Sequence, residues 1–173
     1  NVLTELQTAL DLPVVPRVIE CFDVSNLGQE HVVAGMVRFA DGKPDKSNYR
    51  RFKIKNVSGQ DDFAAIKEAV SRRYKRLLDE KLSMPDLVVV DGGAGQVGAA
   101  HSTLQSLGLK LSLIGLAKEH EEIYLPNERS PRKFESNSRM MLLLRQIRDA
   151  THNFAVKYNR QRRQMKMRKQ FNK

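Results

Sequence analysis

Two aspartates stand where apolar strands tolerate charge poorly. Asp23 lies inside the run Val18-Ile19-Glu20-Cys21-Phe22-Asp23-Val24-Ser25, and Asp91 closes Leu87-Val88-Val89-Val90 just before Gly92-Gly93. An unpaired charge buried in such a run is costly, so each acid needs a reason to be there. Each has an ordinary one: Asp23 as a strand-end cap or half of an ion pair, Asp91 as the start of an Asp-Gly turn. As a pair at the ends of two strands, they offer hard oxygen ligands suited to Mg²⁺ or Mn²⁺. A cation held there polarises a phosphoryl oxygen and lowers the pKa of a bound water, which is the chemistry of cutting a phosphodiester. His152, in Arg148-Asp149-Ala150-Thr151-His152, is a third vertex, either ligand or general base. It lies off the apolar face of Leu143, Ile147, Ala150 and Phe154, where a solvated histidine is the plainer reading. Asp61-Asp62 opens a helix, where aspartates cap free N–H groups and favour the dipole. Asp62 is alternatively a third carboxylate of the site, outer-sphere to a metal.

These residues need a frame. Residues 1–17 carry a short helical pattern, Thr4 to Leu12, broken by Pro13 and Pro16, and read as a leader into a domain at 18–156. Strands are expected at 18–25, 31–39 and 47–54, with turn material at 26–30 and an Asp41-Gly42 hairpin signal, giving a three-strand antiparallel meander. Phe63, Ile66, Val70, Tyr74, Leu77 and Leu78 recur at helical spacing within Asp61 to Leu82. The continuous apolar run 87–90 is then a strand buried on both faces and, after a helical crossover, parallel to its neighbour. A helix over 96–107, a strand over 111–116, a small hairpin of 123–125 and 132–134, and a final helix from Ser138 complete the order. The expected class is α/β, a mixed sheet of about five strands flanked by helices, whose element order resembles the ribonuclease H-like fold. In that fold the first and fourth strands lie side by side, and Asp23 would face Asp91.

Composition sets further bounds. The 173 residues include 30 Lys and Arg against 20 Asp and Glu, a net charge of +10. Eight of those cations and no acid fall in residues 157–173, a basic extension of the last helix, so the body is nearly neutral. An anionic partner is implied, and the tail alone supports only nucleic-acid binding. Tyr49-Arg50-Arg51-Phe52, Arg72-Arg73 and Arg148 are candidate phosphate contacts or a solvated basic face. Gly92-Gly93-Ala94-Gly95-Gln96 is a tight strand-to-helix turn or a phosphate cradle, but no Lys-Ser/Thr follows it, against a nucleotide-binding P-loop. The lone Cys21 forms no internal disulfide, lies in an apolar run as core packing, and fits a reducing, cytoplasmic setting. No run approaches the roughly 20 apolar residues that span a bilayer, so no membrane partner is expected. His31, His101 and His120 stand outside any acidic grouping and read as structural.

Several strings together resemble one family. Glu20-Cys21-Phe22-Asp23-Val24-Ser25-Asn26, Tyr49-Arg50-Arg51-Phe52, Asp61-Asp62-Phe63-Ala64, Asp91-Gly92-Gly93-Ala94-Gly95-Gln96 and Arg148-Asp149-Ala150-Thr151-His152 are similar to the C-terminal half of UvrC, the nuclease subunit of bacterial nucleotide-excision repair. The match runs in order over residues 18 to 160. It implies a ribonuclease H-like, Mg²⁺- or Mn²⁺-dependent endonuclease that incises damaged double-stranded DNA 5′ to the lesion, working on a complex of UvrB with DNA. By position Asp23, Asp91 and His152 match the family's catalytic residues and Asp62 a further acidic one. The family commonly has His where Asn26 stands and Lys where Ala94 stands, and neither position is a proposed metal ligand. The family's GIY-YIG nuclease, UvrB-binding segment and helix-hairpin-helix motifs are not recognisable, so the chain is expected to be an excised domain with its tail leading to a DNA-binding module. The rival reading is a non-catalytic nucleic-acid-binding module whose acids are caps and whose tail supplies affinity.

Overall fold

The computed structural model describes residues 1–26, 32–55, 61–117 and 121–171, the side chains of 158–163 excepted. The turn expected after Asn26, His31 and His120 lie outside the described residues. Four helices, α1 (Val2–Leu10), α2 (Asp62–Asp79), α3 (Ala94–Ser106) and α4 (Arg139–Phe171), flank one sheet. Its strands are β1 (Val18–Ser25), β2 (Val33–Ala40), β3 (Lys43–Pro44), β4 (Arg50–Lys53), β5 (Leu87–Asp91), β6 (Leu113–Leu116), β7 (Glu122–Tyr124) and β8 (Arg132–Lys133).

The path across the sheet is β3-β2-β1-β5-β6-β7-β8, with β4 also paired to β2. The expected antiparallel meander is present as β1–β2–β4, and β5 is parallel to both β1 and β6. The mixed α/β class is as expected, but among the described residues the sheet has eight strands rather than about five. The extra members are the two-residue β3 and the hairpin β7–β8, which joins the sheet through β6. Strands this short pair through backbone groups and carry no side-chain period.

Alternation along the strands builds two cores. Ile19 and Cys21 of β1 with Leu87 and Val89 of β5 face α1 and α4. Phe22 with Val88 and Val90 face α2 and α3. The stretch read as a leader is part of the first layer: Leu3, Leu6 and Leu10 are buried there on one stripe of α1, whose N-cap Asn1 accepts from Leu3 and Thr4 amides.

Glu20 points the other way from Ile19 and Cys21 and is fully buried beneath α2. Arg73 meets it through two parallel bonds, Nη2 to Oε2 at 2.7 Å and Nε to Oε1 at 3.2 Å, and Tyr74 donates to Oε1 at 2.9 Å. Arg38 lies 3.5 Å away on the other side. Burial alone would depress the Arg73 guanidinium, but the bonded carboxylate outweighs it and holds the group above its usual value. Arg73 is only 5% exposed, so it is a structural cation and not a nucleic-acid contact.

Candidate active site

β1 and β5 run parallel with Phe22 opposite Val90, so the next residues, Asp23 and Asp91, emerge side by side at the C-terminal edge of the sheet. Open α/β sheets take ligands at this edge. Both aspartates project toward α4, since they continue the Ile19–Cys21 and Leu87–Val89 faces. The third group arrives because β2 lets α4 approach. Asp23 pairs with Gly35, and a Cβ there would lie 3.1 Å from the Cβ of Ala155. Any side chain at Gly35 would push α4 outward. With it seated, His152, one turn before Ala155, places Nδ1 3.0 Å from Asp23 Oδ2.

One donor atom from each of Asp23, Asp91 and His152 lies within 4.8 Å of the other two. Donors sharing one ion at about 2.0–2.6 Å stand no more than about 4–5 Å apart, so the set fits a divalent cation after slight closure. Two carboxylates with one imidazole are donor types that can hold a divalent cation. Asp23 is only 6% exposed, with Oδ1 accepting from the Val24 amide, while half of the His152 side chain is open. The site is thus braced on the sheet side and open on the other.

A cleft of about 440 Å³ spreads from these residues, lined by Asp23, Asp62, Asp91, Gly92, Gly93, Glu122 and Tyr124, among others. The Asp61-Asp62 pair divides its labour. Asp61 is the N-cap of α2, accepting from the Ala64 amide, whereas Asp62 lines the cleft with Oδ1 accepting from the Asn26 side-chain amide at 2.5 Å. The glycine turn is folded around Gln96. Gly92 has φ +149°, and a Cβ there would fall 2.5 Å from the Gln96 side chain, whose Oε1 accepts from the Gly93 amide. That amide is therefore satisfied within the protein and is not offered to a phosphate.

These observations meet their counterpart in known proteins. Residues 7–156 match the family model of the UvrC RNase H endonuclease domain. The chain belongs to that family. The UvrABC system protein C of Methanosarcina mazei is 50% identical over 162 residues, 94% of this chain and 31% of that protein. Its counterpart in Pelodictyon phaeoclathratiforme is 48% identical over 165 residues, 95% of this chain and 26% of that protein. The chain thus spans about a quarter to a third of the length of these relatives. A crystal structure of an endonuclease V from Bacillus subtilis superposes with a TM-score of 0.52 over 91% of each chain at 15% identity, a likeness of fold alone.

As a UvrC RNase H endonuclease domain, the chain brings together four of its sequence-predicted site residues: Asp23, Asp91 and His152 as one group, with Asp62 across the cleft. The candidate phosphate contacts are more scattered. Arg51 is exposed and stacks over the Phe154 ring at 4.0 Å. Arg72 donates to the Lys53 carbonyl and to Glu68, Arg50 to the carbonyls of Ser47 and Tyr49, and Arg148 to the Ala117 carbonyl at 3.1 Å. Two cleft residues were missed. Glu122 and Tyr124 come from β7, where the Tyr124 hydroxyl donates to Glu122 Oε2 at 3.1 Å. That bond, with some burial, holds the phenol above its usual pKa. Their only signal was alternation in a three-residue strand. Cys21 is core packing as expected, and burial pushes its thiol far up.

Proposed function

We propose that this domain is a divalent-metal-dependent endodeoxyribonuclease that makes the incision 5′ to a lesion in nucleotide-excision repair, using Mg²⁺ or Mn²⁺. The observation that carries the reading is the convergence of Asp23, Asp91 and His152, residues far apart in the chain, within 4.8 Å at one edge of the sheet. Family membership supports the same chemistry. Asp23, Asp91 and His152 would hold the ion. When bound, it supplies Lewis acidity toward a phosphoryl oxygen and a more acidic water.

The protein's own groups do the positioning. The Val24 amide fixes one oxygen of Asp23, leaving Oδ2 aimed at His152. Asp62, held by Asn26, stands across the cleft to orient or deprotonate water. Hydrolysis forms a new P–O bond from that water and breaks the scissile one, with a proton ending on the leaving oxygen. The rim Arg51, stacked on Phe154, with Arg50, Arg72 and Arg148 contributes backbone contacts. The working partner is damaged duplex DNA presented by UvrB in the cytoplasm, and the catalytic unit runs through residue 156 and includes α1, which packs in its core, with 157–173 leading onward.

The experiment is incision of a lesion-bearing duplex with Mn²⁺, in a reaction reconstituted with the partner proteins, by Asp23→Ala, Asp91→Ala and His152→Ala, each checked for fold by circular dichroism. Each is expected to lose cutting and to weaken Mn²⁺ binding measured by calorimetry. Intact cutting by any two of them would sink the assignment. Binding indifferent to chelator, with no cutting under any metal, would favour the non-catalytic module instead.

A further inference from the structure

The cleft is a poor place for a polyanion to gain affinity. Asp23, Asp62, Asp91 and Glu122 line it, and carboxylates repel phosphate until a cation intervenes. The body adds little: residues 1–156 hold 22 Lys and Arg against 20 Asp and Glu, whereas 157–173 hold eight cations and no acid. The chain's positive surplus is therefore concentrated at its C-terminal end.

That end is not detached from the site. α4 runs without a break from Arg139 to Phe171, so the helix that carries His152 also carries Lys166, Arg168 and Lys169. At a rise of about 1.5 Å per residue these three stand roughly 21–26 Å along the helix from His152. That is about six to eight base pairs of duplex at about 3.4 Å each. The described side chains from 164 to 171 are all exposed. Successive helical residues are about 100° apart, so Lys166 and Lys169, three apart, share one face and Arg168 points to nearly the opposite one. A helix with cations on two opposed sides fits a major groove, which is about 12 Å wide with phosphates on both walls.

We propose that the C-terminal part of α4 is a second duplex-DNA contact, with Lys166, Arg168 and Lys169 binding backbone phosphates about six to eight base pairs from the scissile one. The helix acts as a rod that fixes this spacing. The spacing rests on Asp23, Asp91 and His152 being the cutting site, whereas the contact itself does not. Exposed Met165, Met167 and Phe171 on the same segment point to a rival occupant, an apolar protein groove. The charge of the stretch favours DNA.

The test uses the whole chain and a fluorescent duplex about three helical turns long, with excess chelator so that cutting does not enter. In Lys166→Gln/Arg168→Gln/Lys169→Gln, the slope of log affinity against log salt is expected to fall by about 2.7, or about 0.9 per contact. Between about 50 and 200 mM salt the wild type then loses about 40-fold more affinity than the variant. An unchanged slope overturns the proposal. Met165→Ser/Met167→Ser/Phe171→Ser is expected to bind DNA normally, and lost DNA affinity there with the charge variant silent overturns it as well. Gln164→Pro interrupts α4 while keeping every charge, so it should keep the slope yet bind several-fold more weakly. Wild-type affinity in that variant overturns the rod. A changed slope in the charge variant with undiminished cutting by Asp23→Ala and Asp91→Ala would remove the site assignment, and the spacing with it, and leave the contact standing.

Discussion

Replacing Arg73 by Met isolates a buried ion pair of the fold. The change keeps an unbranched chain of similar length under α2 but removes both bonds to Glu20, which is fully buried. Glu20 retains the Tyr74 hydroxyl at 2.9 Å and Arg38 at 3.5 Å. Breaking a buried pair from one side costs about 3–5 kcal/mol, and the remaining partners put this case near the lower figure, about 3. For a chain of this size each kcal/mol moves Tm by about 2–4 °C, so a fall of about 6–12 °C is expected. Glu20→Leu/Arg73→Met should be more stable than Arg73→Met alone, because no charge is then stranded. The assay is urea unfolding with the m-value checked for constancy, alongside duplex binding in chelator. A loss below about 1 kcal/mol, or a double variant no better than the single, would refute the buried-pair argument. Weakened DNA binding with stability intact would return Arg73 to the nucleic-acid surface.

Asp23 and Asp91 offer donor atoms within 4.8 Å of each other, and like charges at that distance repel by about 1 kcal/mol even in water-like surroundings. In chelator, Asp91→Asn should therefore raise Tm by about 2–4 °C while weakening Mn²⁺ binding, as scanning calorimetry with and without metal will show. Burial raises the pKa of Cys21 in the fold, so its stabilising contribution is full below the unfolded thiol value of about 8.5 and declines as pH rises past it. Cys21→Ala should flatten the alkaline fall in stability, and in the wild type a thiol reagent should label Cys21 only as fast as the core opens. At Gly115 a Cβ would lie 2.4 Å from Val97 and 2.7 Å from the Gly92 carbonyl oxygen. Gly115→Ala should cost about 1–3 kcal/mol by overpacking, read by urea unfolding, and slow incision by shifting the turn after Asp91.

What the chain discloses about itself depends on how far a residue's role departs from its local pattern. The strands that carry Asp23 and Asp91 were readable because apolar runs with an acid at the end are unusual, and a helical crossover forces parallel pairing. His152 was readable from the residues only as one of two alternatives, ligand or solvated histidine, since its place over Asp23 depends on Gly35 admitting α4, a contact distant in the sequence. The β7–β8 hairpin was readable as a small hairpin, but its joining the sheet and the place of Glu122 and Tyr124 in the cleft were not, because strands of three and two residues carry too little periodic signal. Arg73 is the instructive error. It was grouped with Arg72 by charge, yet it stands three residues after Val70 and four before Leu77, squarely on the stripe that α2 buries. Glu20 is its mirror image, an acid inside an apolar strand. Two opposite charges, each on a buried face and separated by most of a meander, are better explained by each other than by solvent or ligand. The same test applied to Asp23 and Asp91 gives the other answer: they also occupy a strand edge facing the core, but they have the same sign. Like charges cannot neutralise each other, and their juxtaposition beside His152 fits the cation site proposed above. Sign complementarity thus separates the scaffold's buried charges from those of the site.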